Sequence, residues 1–487
     1  MRNLLLGICV ALVFSRGLLA QCPDGTPPPC RARAVTRGPA ANSVAVLVFD
    51  NRARDTSLTL LAEGLADQIT SNLGTVARLE VKSPASVRVV MEQGRREPQR
   101  IGQALAARWL VDGQLLPGRG NVRVSVQLVE ASRGTVRWSG VYQRPLDDLF
   151  GVISAVADSV ASAIVGALAP EERARMARRP TRSNEAYRAY TRGLAALRRQ
   201  TEDDLRRAVA AFEDAVALDS SFAAAYAGLA EAWMWHDWFQ PPGPIYARAR
   251  AAAERALALD PRQPQALVAL ASVALYHDWL PTRAESLARQ ALALDSLQPR
   301  GWAYLGSALV SLGRNEEAAS ALHRSLSLDT LDVAVAAAAT WGLTMLGRTD
   351  VAIAVTGRLR RLGLDLELQH VRARLLAGRC PDPATRFTAP VLGALCNGQP
   401  ELARRQADSI MAAAERTGTY LDPWRVAVGY ALLGERERAL AYLERAVEAR
   451  SSGCVLLAVD PIWRELRSDP RFAELVRRIG VPVPQNR

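Results

Sequence analysis

Two of the four histidines in this 487-residue chain have matching surroundings: Trp235-His236-Asp237-Trp238 and Tyr276-His277-Asp278-Trp279, 41 positions apart. Imidazole beside carboxylate, twice over, supplies the donor types of a zinc site. A plainer account of the spacing is that each aspartate caps the following helix and each tryptophan fills a seam between repeated units. Other chemistry is sparse. HExxH, GxSxG and CxxC do not occur, and Lys82, the only lysine, has no glycine loop before it. A phosphate cradle needs glycines so that backbone N–H groups can approach the ligand. The connection over residues 50–57 has none, so Asp50 and Asp55 read as turn and N-cap residues. Glu316 and Glu317 fall where a helix start favours negative charge. These residues predict a non-enzymatic chain with no cofactor and no metal, and the elements around them should build a binding surface.

Residues 1–20 begin with Arg2, continue through an apolar run over 4–14 and end at Ala20. A membrane-spanning helix needs roughly 20 apolar residues, so this stretch fits a signal peptide cut between Ala20 and Gln21. The expected location is the periplasm or the exterior. A lipoprotein anchored at Cys22 is the alternative, although Gln21 stands where a small residue is usual. After export, Cys22 and Cys30 in the Pro-rich mature N-terminus (21–40) are expected to form a disulfide, with residues 23–25 turning the chain. Cys380 and Cys396 bracket a helix expected over 387–395. At about 1.5 Å per residue, such a helix would hold their sulfurs too far apart to bond. Cys454 reads as a buried thiol.

The composition, 49% hydrophobic and 23% charged, has room for two or three globular domains. A net charge of +12 first suggests an acidic partner. The arginines, however, alternate with acids, as in Glu435-Arg436-Glu437-Arg438, the pattern of solvated helix faces rather than of a nucleic-acid footprint. The densest basic run, 173–182, falls in an expected linker (170–183). It is the one stretch suited to peripheral contact with an anionic membrane.

Residues 41–169 read as an α/β module. The apolar run 44–49 predicts a buried strand. Leu61, Leu65, Ile69 and Leu73 recur every four residues within a helix over 58–76. A strand at 79–82 and a helix at 98–107 follow. Val122, Val124, Val126 and Leu128 alternate with Arg123, Ser125 and Gln127, as in a strand with one wet face. Gly134 turns the chain into a strand over 136–142, and a helix over 149–168 closes the module. The segments VAVLVFDN, AEGLADQI, LEVKSPASV, WLVDGQLL and VSVQLVEASRGTVRWSGVY, with the closing helix, resemble in order the TolB amino-terminal-like (FlgO-like) domain. That resemblance implies an α/β fold with a mixed sheet and flanking helices, an assembly or interaction role and no catalytic residues. In other architectures the domain, paired with tetratricopeptide repeats, joins a cyclase, kinase or winged-helix domain. With the leader abutting the module, none of those is expected here.

Residues 184–450 repeat. AVALD, ALALD, ALALD and SLSLD end at Asp219, Asp260, Asp295 and Asp329, at steps of 41, 35 and 34. Ala208, Ala249, Ala284, Ala318 and Ala352 hold one register, and Ala403 and Ala439 occupy the equivalent place further on. A 34-residue step with small residues at fixed places is the tetratricopeptide signature, an all-α solenoid of paired antiparallel helices. Trp302, Leu305, Gly306, Leu309, Gly313, Ala318 and Leu322 restate it within one repeat. The long first step holds a loop at 239–243, and an extra helix is expected near 364–377. Trp463, Leu466, Phe472 and Leu475 in the tail (451–487) should cap the last repeat. By register, Glu231, Trp235, Ser272, Tyr276, Arg300 and Ser307 project to the inner face, where arrays of this kind bind protein or peptide partners. The lysines and asparagines of the family's carboxylate clamp are missing, so a chaperone tail is not the expected partner. The sequence thus predicts an exported scaffold of the bacterial cell envelope, with no nucleic-acid partner. The alternative is a sensor whose α/β module binds a small ligand or cell-wall fragment.

Overall fold

The computed structural model describes residues 39–51, 56–94, 97–118, 121–145, 149–197, 201–362, 364, 366–380, 394 and 398–482. The leader, Cys22, Cys30, Asp55 and, apart from residue 394, the helix expected over 387–395 lie outside them. Residues 39–487 form one compact unit.

The chain opens with β1 (Ser43–Val46), β2 (Asp50–Asn51), α1 (Thr56–Gly74), β3 (Glu80–Val81), α2 (Pro84–Glu92), α3 (Pro98–Leu105), β4 (Trp109–Pro117), β5 (Asn121–Glu130), β6 (Thr135–Pro145) and α4 (Leu149–Val165). The sheet order is β3-β1-β4-β5-β6, with β2 also on β4. β1, β3 and β4 run parallel, and β5 and β6 add antiparallel hairpin strands. Two differences from the expected elements stand out. The strand expected over 44–49 is split: β1 ends at Val46 and pairing resumes at Asp50. Neither β4, the centre of the sheet, nor α2, whose first turn is capped by Ser83, is among the expected elements. Val122, Val124, Val126 and Leu128 face a dry core with α1 and α4, as their alternation predicts.

The stretch expected as a linker begins as a helix, α5 (Pro170–Met176). Asn72 donates to the carbonyl of Met176 at 2.8 Å, so α5 is docked on α1. Several arginines of the basic run have internal partners: Arg173 pairs with Asp158 at 3.0 Å and Arg178 with Asp260 at 3.6 Å.

The array follows as helix pairs: α6 (Asn184–Leu197) with α7 (Glu202–Leu218), α8 (Ala223–Met234) with α9 (Pro242–Leu259), α10 (Pro264–Tyr276) with α11 (Pro281–Leu294), α12 (Pro299–Ser311) with α13 (Asn315–Leu328), and α14 (Val333–Met345) with α15 (Thr349–Arg361). α16 (Glu367–Leu376) is the extra helix, and Pro400–Thr417, Pro423–Leu432 and Arg436–Glu448 continue the array. The alanines of the shared register, Ala208 through Ala439, are completely buried, because a larger side chain would hold the paired backbones apart. Close approach also explains Gly306 and Gly342. A Cβ on either would sit 2.5 or 2.7 Å from the Leu322 side chain, which fills the space between α12, α13 and α14.

Each of the first four helix pairs ends in the same device. Asp219, Asp260, Asp295 and Asp329 leave the helix in extended geometry, at φ between −141° and −152°. Each carboxylate accepts the N–H two residues on, at 2.9, 3.1, 3.0 and 2.9 Å. This Asx turn starts the next helix, and proline at its first positions in α10 and α12 suits a site where N–H groups go unused.

Removing the Leu322 side chain should therefore leave a cavity shared by three helices. Leu322→Ala is expected to lose about 2–5 kcal/mol in denaturant unfolding. Leu280→Ala, at an exposed position, should fall within about 0.5 kcal/mol of the parent.

Candidate functional site

The α/β module is seated on the array at two places. At the first repeat, Tyr187 of α6 donates to the carbonyl of Gly64 in α1 at 2.9 Å, and its ring meets Phe150 edge-on at 4.8 Å. A Cβ on Gly64 would lie 2.6 Å from Thr191, so the two helices touch backbone to side chain. The second seat is on α14 and α15, where Leu331, Ala336, Ala337 and Leu359 share one apolar core with Ala45, Leu47, Val87, Val90 and Leu110. Beside it, the Ser83 and Ser86 hydroxyls at the start of α2 both donate to Asp329. The carboxylate that closes the fourth of these turns thus also holds the module. Burial, reinforced by the Asp332 charge, raises the Asp329 carboxyl despite these donors. At the other seat Asp219 accepts from Thr181 at 2.5 Å, and the hydroxyls of Ser221 and Thr181 lower its pKa.

The far end of the array returns to the middle. The turn Ser452–Leu456 packs on α10 and α12. Arg450 donates to the carbonyl of His277 at 3.1 Å and lies 5.0 Å over the Trp279 ring. Arg372 of α16 pairs with Asp460, both buried, and stacks 4.5 Å from Trp341. Trp463, Leu466, Phe472 and Leu475 are buried in the core that the last repeat shares with α10 to α14. Cys454 is a free, fully buried thiol, and burial pushes its pKa well up. Cys380 is disulfide-bonded, and the other half of the bond lies outside the described residues.

Between module and array lies a space of about 3730 Å³. Of the six inner-face residues selected by register, Glu231, Trp235 and Arg300 line it, whereas Ser272, Tyr276 and Ser307 do not. The latter three sit one layer deeper. The hydroxyls of Tyr276 and Ser307 bond to each other, as do those of Tyr304 and Ser272, and the two tyrosine rings meet edge-on at 6.1 Å. Burial raises the Tyr304 phenol to about 12. Arg300 of α12 bridges Glu231 of α8 to Asp332, the N-cap of α14, the latter at 3.1 Å, so one guanidinium ties the second, fourth and fifth repeats. The opposite wall is the module, where Asp50, Asn51, Lys82 and Asp112 mark the carboxyl ends of β1 and β3 and the middle of β4. Lys82 is buried and pairs with Glu80 at 2.5 Å.

The two His-Asp pairs part company in the fold. His236 is buried beside Trp233, with ring centroids 5.4 Å apart, while His277 stacks on Tyr246 at 5.0 Å. Burial lowers both imidazole pKa values. Neither aspartate caps a helix, because α9 and α11 start after Pro241 and Leu280. Asp237 instead accepts from the Tyr246 hydroxyl at 2.9 Å and bonds Ser452 of the returning turn. Asp278 pairs with Arg250 at 2.6 Å. Among the described residues no cluster of three metal-binding side chains occurs.

No family model matches the chain. A curated protein of Rhizobium meliloti (strain 1021) named "Putative adenylate cyclase 3" is 26% identical over 203 residues, 42% of this chain and 34% of that protein. The chain therefore spans about a third of that relative's length. A thermophilic tetratricopeptide repeat protein of Thermus thermophilus aligns at TM-score 0.31 and 18% identity, covering 38% of this chain and 98% of its own. A tetratricopeptide repeat protein from Parabacteroides merdae ATCC 43184 aligns at TM-score 0.30 and 12% identity, covering 61% and 100%. The repeat architecture described above rests on this chain's own helices.

Asp237 generates a pH prediction. Burial, the largest cause, lifts its carboxyl to about 6, above the ~3.9 of an unfolded aspartate. The folded chain keeps a proton that the unfolded chain has released. The linked stability is complete below about pH 4 and is lost as the pH rises through about 6. Asp237→Asn should flatten the stability profile across that window and unfold later than the parent above it, as measured by urea titration at several pH values.

Proposed function

We propose that this chain is a non-enzymatic scaffold of the bacterial cell envelope, reached through a cleaved leader, which holds a segment of a partner protein between its α/β module and its helical array. The observation that carries this reading is that two walls of different fold face a single space. The inner face contributes Glu231, Trp235 and Arg300, and the module contributes the carboxyl ends of its parallel strands. A salt-bridged wall with an indole and phenylalanine among its lining suits a mixed polar and apolar peptide. The Arg300 bridge fixes the spacing of three repeats before any partner arrives. No cyclase activity is assigned to this chain, whose 50–57 connection lacks the glycines that a phosphate site uses.

A second reading is favoured by the sheet. In the order β3-β1-β4 the connections from β1 and from β3 leave in opposite directions, so strand order reverses at β1. Open parallel sheets bind small ligands at such a switch point, outside the strands' carboxyl ends. A sensor binding a small molecule there would use the same space from its other wall.

A photo-crosslinking residue at Trp235, in cells expressing the full chain, separates the two. The scaffold reading expects a discrete crosslinked protein, absent when the same residue replaces outward-facing Leu218, and weakened about tenfold by Arg300→Glu. A crosslink pattern identical at both positions would contradict it. A small-molecule adduct at Trp235 would transfer the assignment to the sensor.

A further inference from the structure

Beyond the space between module and array, the sheet ends in β6, whose outer edge meets no other described strand. β6 is 11 residues long and last in the sheet order, and among the described residues its outer edge has no strand partner. One face of the β5–β6 hairpin is packed: Trp138 and Tyr142 turn onto the core of α1 and α4, and the Tyr142 hydroxyl lies 3.3 Å from that of Ser159. The other face is wet, with Val136 52% and Val141 58% exposed. A long edge with exposed β-branched side chains is a ready template for another strand.

The charges choose the strand. β6 carries Arg137 and Arg144 and no carboxylate, and β5 adds Arg123 beside it. The one acid on the two strands, Glu130, is held at the far end by Arg108 at 3.1 Å. Arg123 and Arg137 are exposed and make no ion pair among the described residues. A second copy of β6 would bring arginine-only strands together, and like charges across a ladder destabilise it. Nucleic acid would want aromatic faces on which bases stack, but both aromatic rings of β6 point into the core. We infer that the β6 edge is a docking strand for an extended, acidic segment of a partner protein, paired through the backbone and steered by Arg123 and Arg137. Backbone bonds supply the affinity in such strand addition, and alternate side chains supply the choice.

The test uses the full chain and a synthetic peptide of β6's length, alternating glutamate with valine or threonine. Controls are the same peptide with lysine for glutamate, a version N-methylated at alternate amides, and oligothymidine. Fluorescence anisotropy should show the acidic peptide binding at least ~10-fold tighter than every control, with amide exchange slowed over residues 135–145. Arg123→Glu with Arg137→Glu, both on the wet face, should invert the preference between acidic and basic peptides. Equal binding of the N-methylated peptide, equal binding of the lysine peptide, tighter binding of oligothymidine, or unslowed exchange at β6 would each overturn the assignment.

Discussion

One carboxylate belongs to two structures at once. Asp329 ends α13 with the same Asx turn that Asp219, Asp260 and Asp295 make, so its first duty is to start the next repeat. Its second is to receive the hydroxyls of Ser83 and Ser86, which locks the first turn of α2 to the array. A buried carboxylate is costly unless its lone pairs are filled. Here two backbone N–H groups and two hydroxyls fill them. The turn and the docking therefore stabilise each other.

From that tie the interior follows. With the module held at the first repeat and again at α14 and α15, the inner face between them is faced by the module's sheet and is not a bare groove. Its lining carries paired groups such as Lys82 with Glu80, and the Arg300 bridge ties three repeats together. The return of the chain after Arg436–Glu448 closes the other side through Arg450 and through the Arg372–Asp460 pair. Losing either member of that pair would strand a buried charge, so it favours the closed arrangement over frayed alternatives. On the scaffold proposal, a partner segment entering the space would meet a site whose ordering cost has been met in folding.

The repeats were legible because their signals are local and recur. Alanine at the helix crossing, glycine facing Leu322 and aspartate at the helix end act within one unit, so the 34-residue step displays them. Strand β5 was equally clear, since one dry face imposes alternation. What escaped was set by distance. Ser86 and Asp329 are 243 residues apart, and Arg372 and Asp460 are 88 apart, with no periodicity to announce either. β4 is buried through its first half and carries Asp112 and Gly113 midway, so it has neither clean alternation nor a continuous apolar run. Asp237 and Asp278 looked like caps in sequence. Tyr246 and Arg250 of α9 reach them instead, from 9 and 28 residues away in the chain, and neither contact belongs to a repeating pattern. Half of the inner-face set reached the space because register identifies the inward side of a helix, but not the depth at which neighbours bury it.

The central claim is that the module and the array fold as one body through the Asp329 tie. A double-mutant cycle on Ser86→Ala and Asp329→Ala, read by chemical unfolding of the full chain, tests it most directly, since the turn's own contribution cancels. The account predicts a coupling of about 1 kcal/mol or more between the two positions. Additivity within about 0.3 kcal/mol would mean that the two residues do not meet, and would contradict the enclosed site built on their contact.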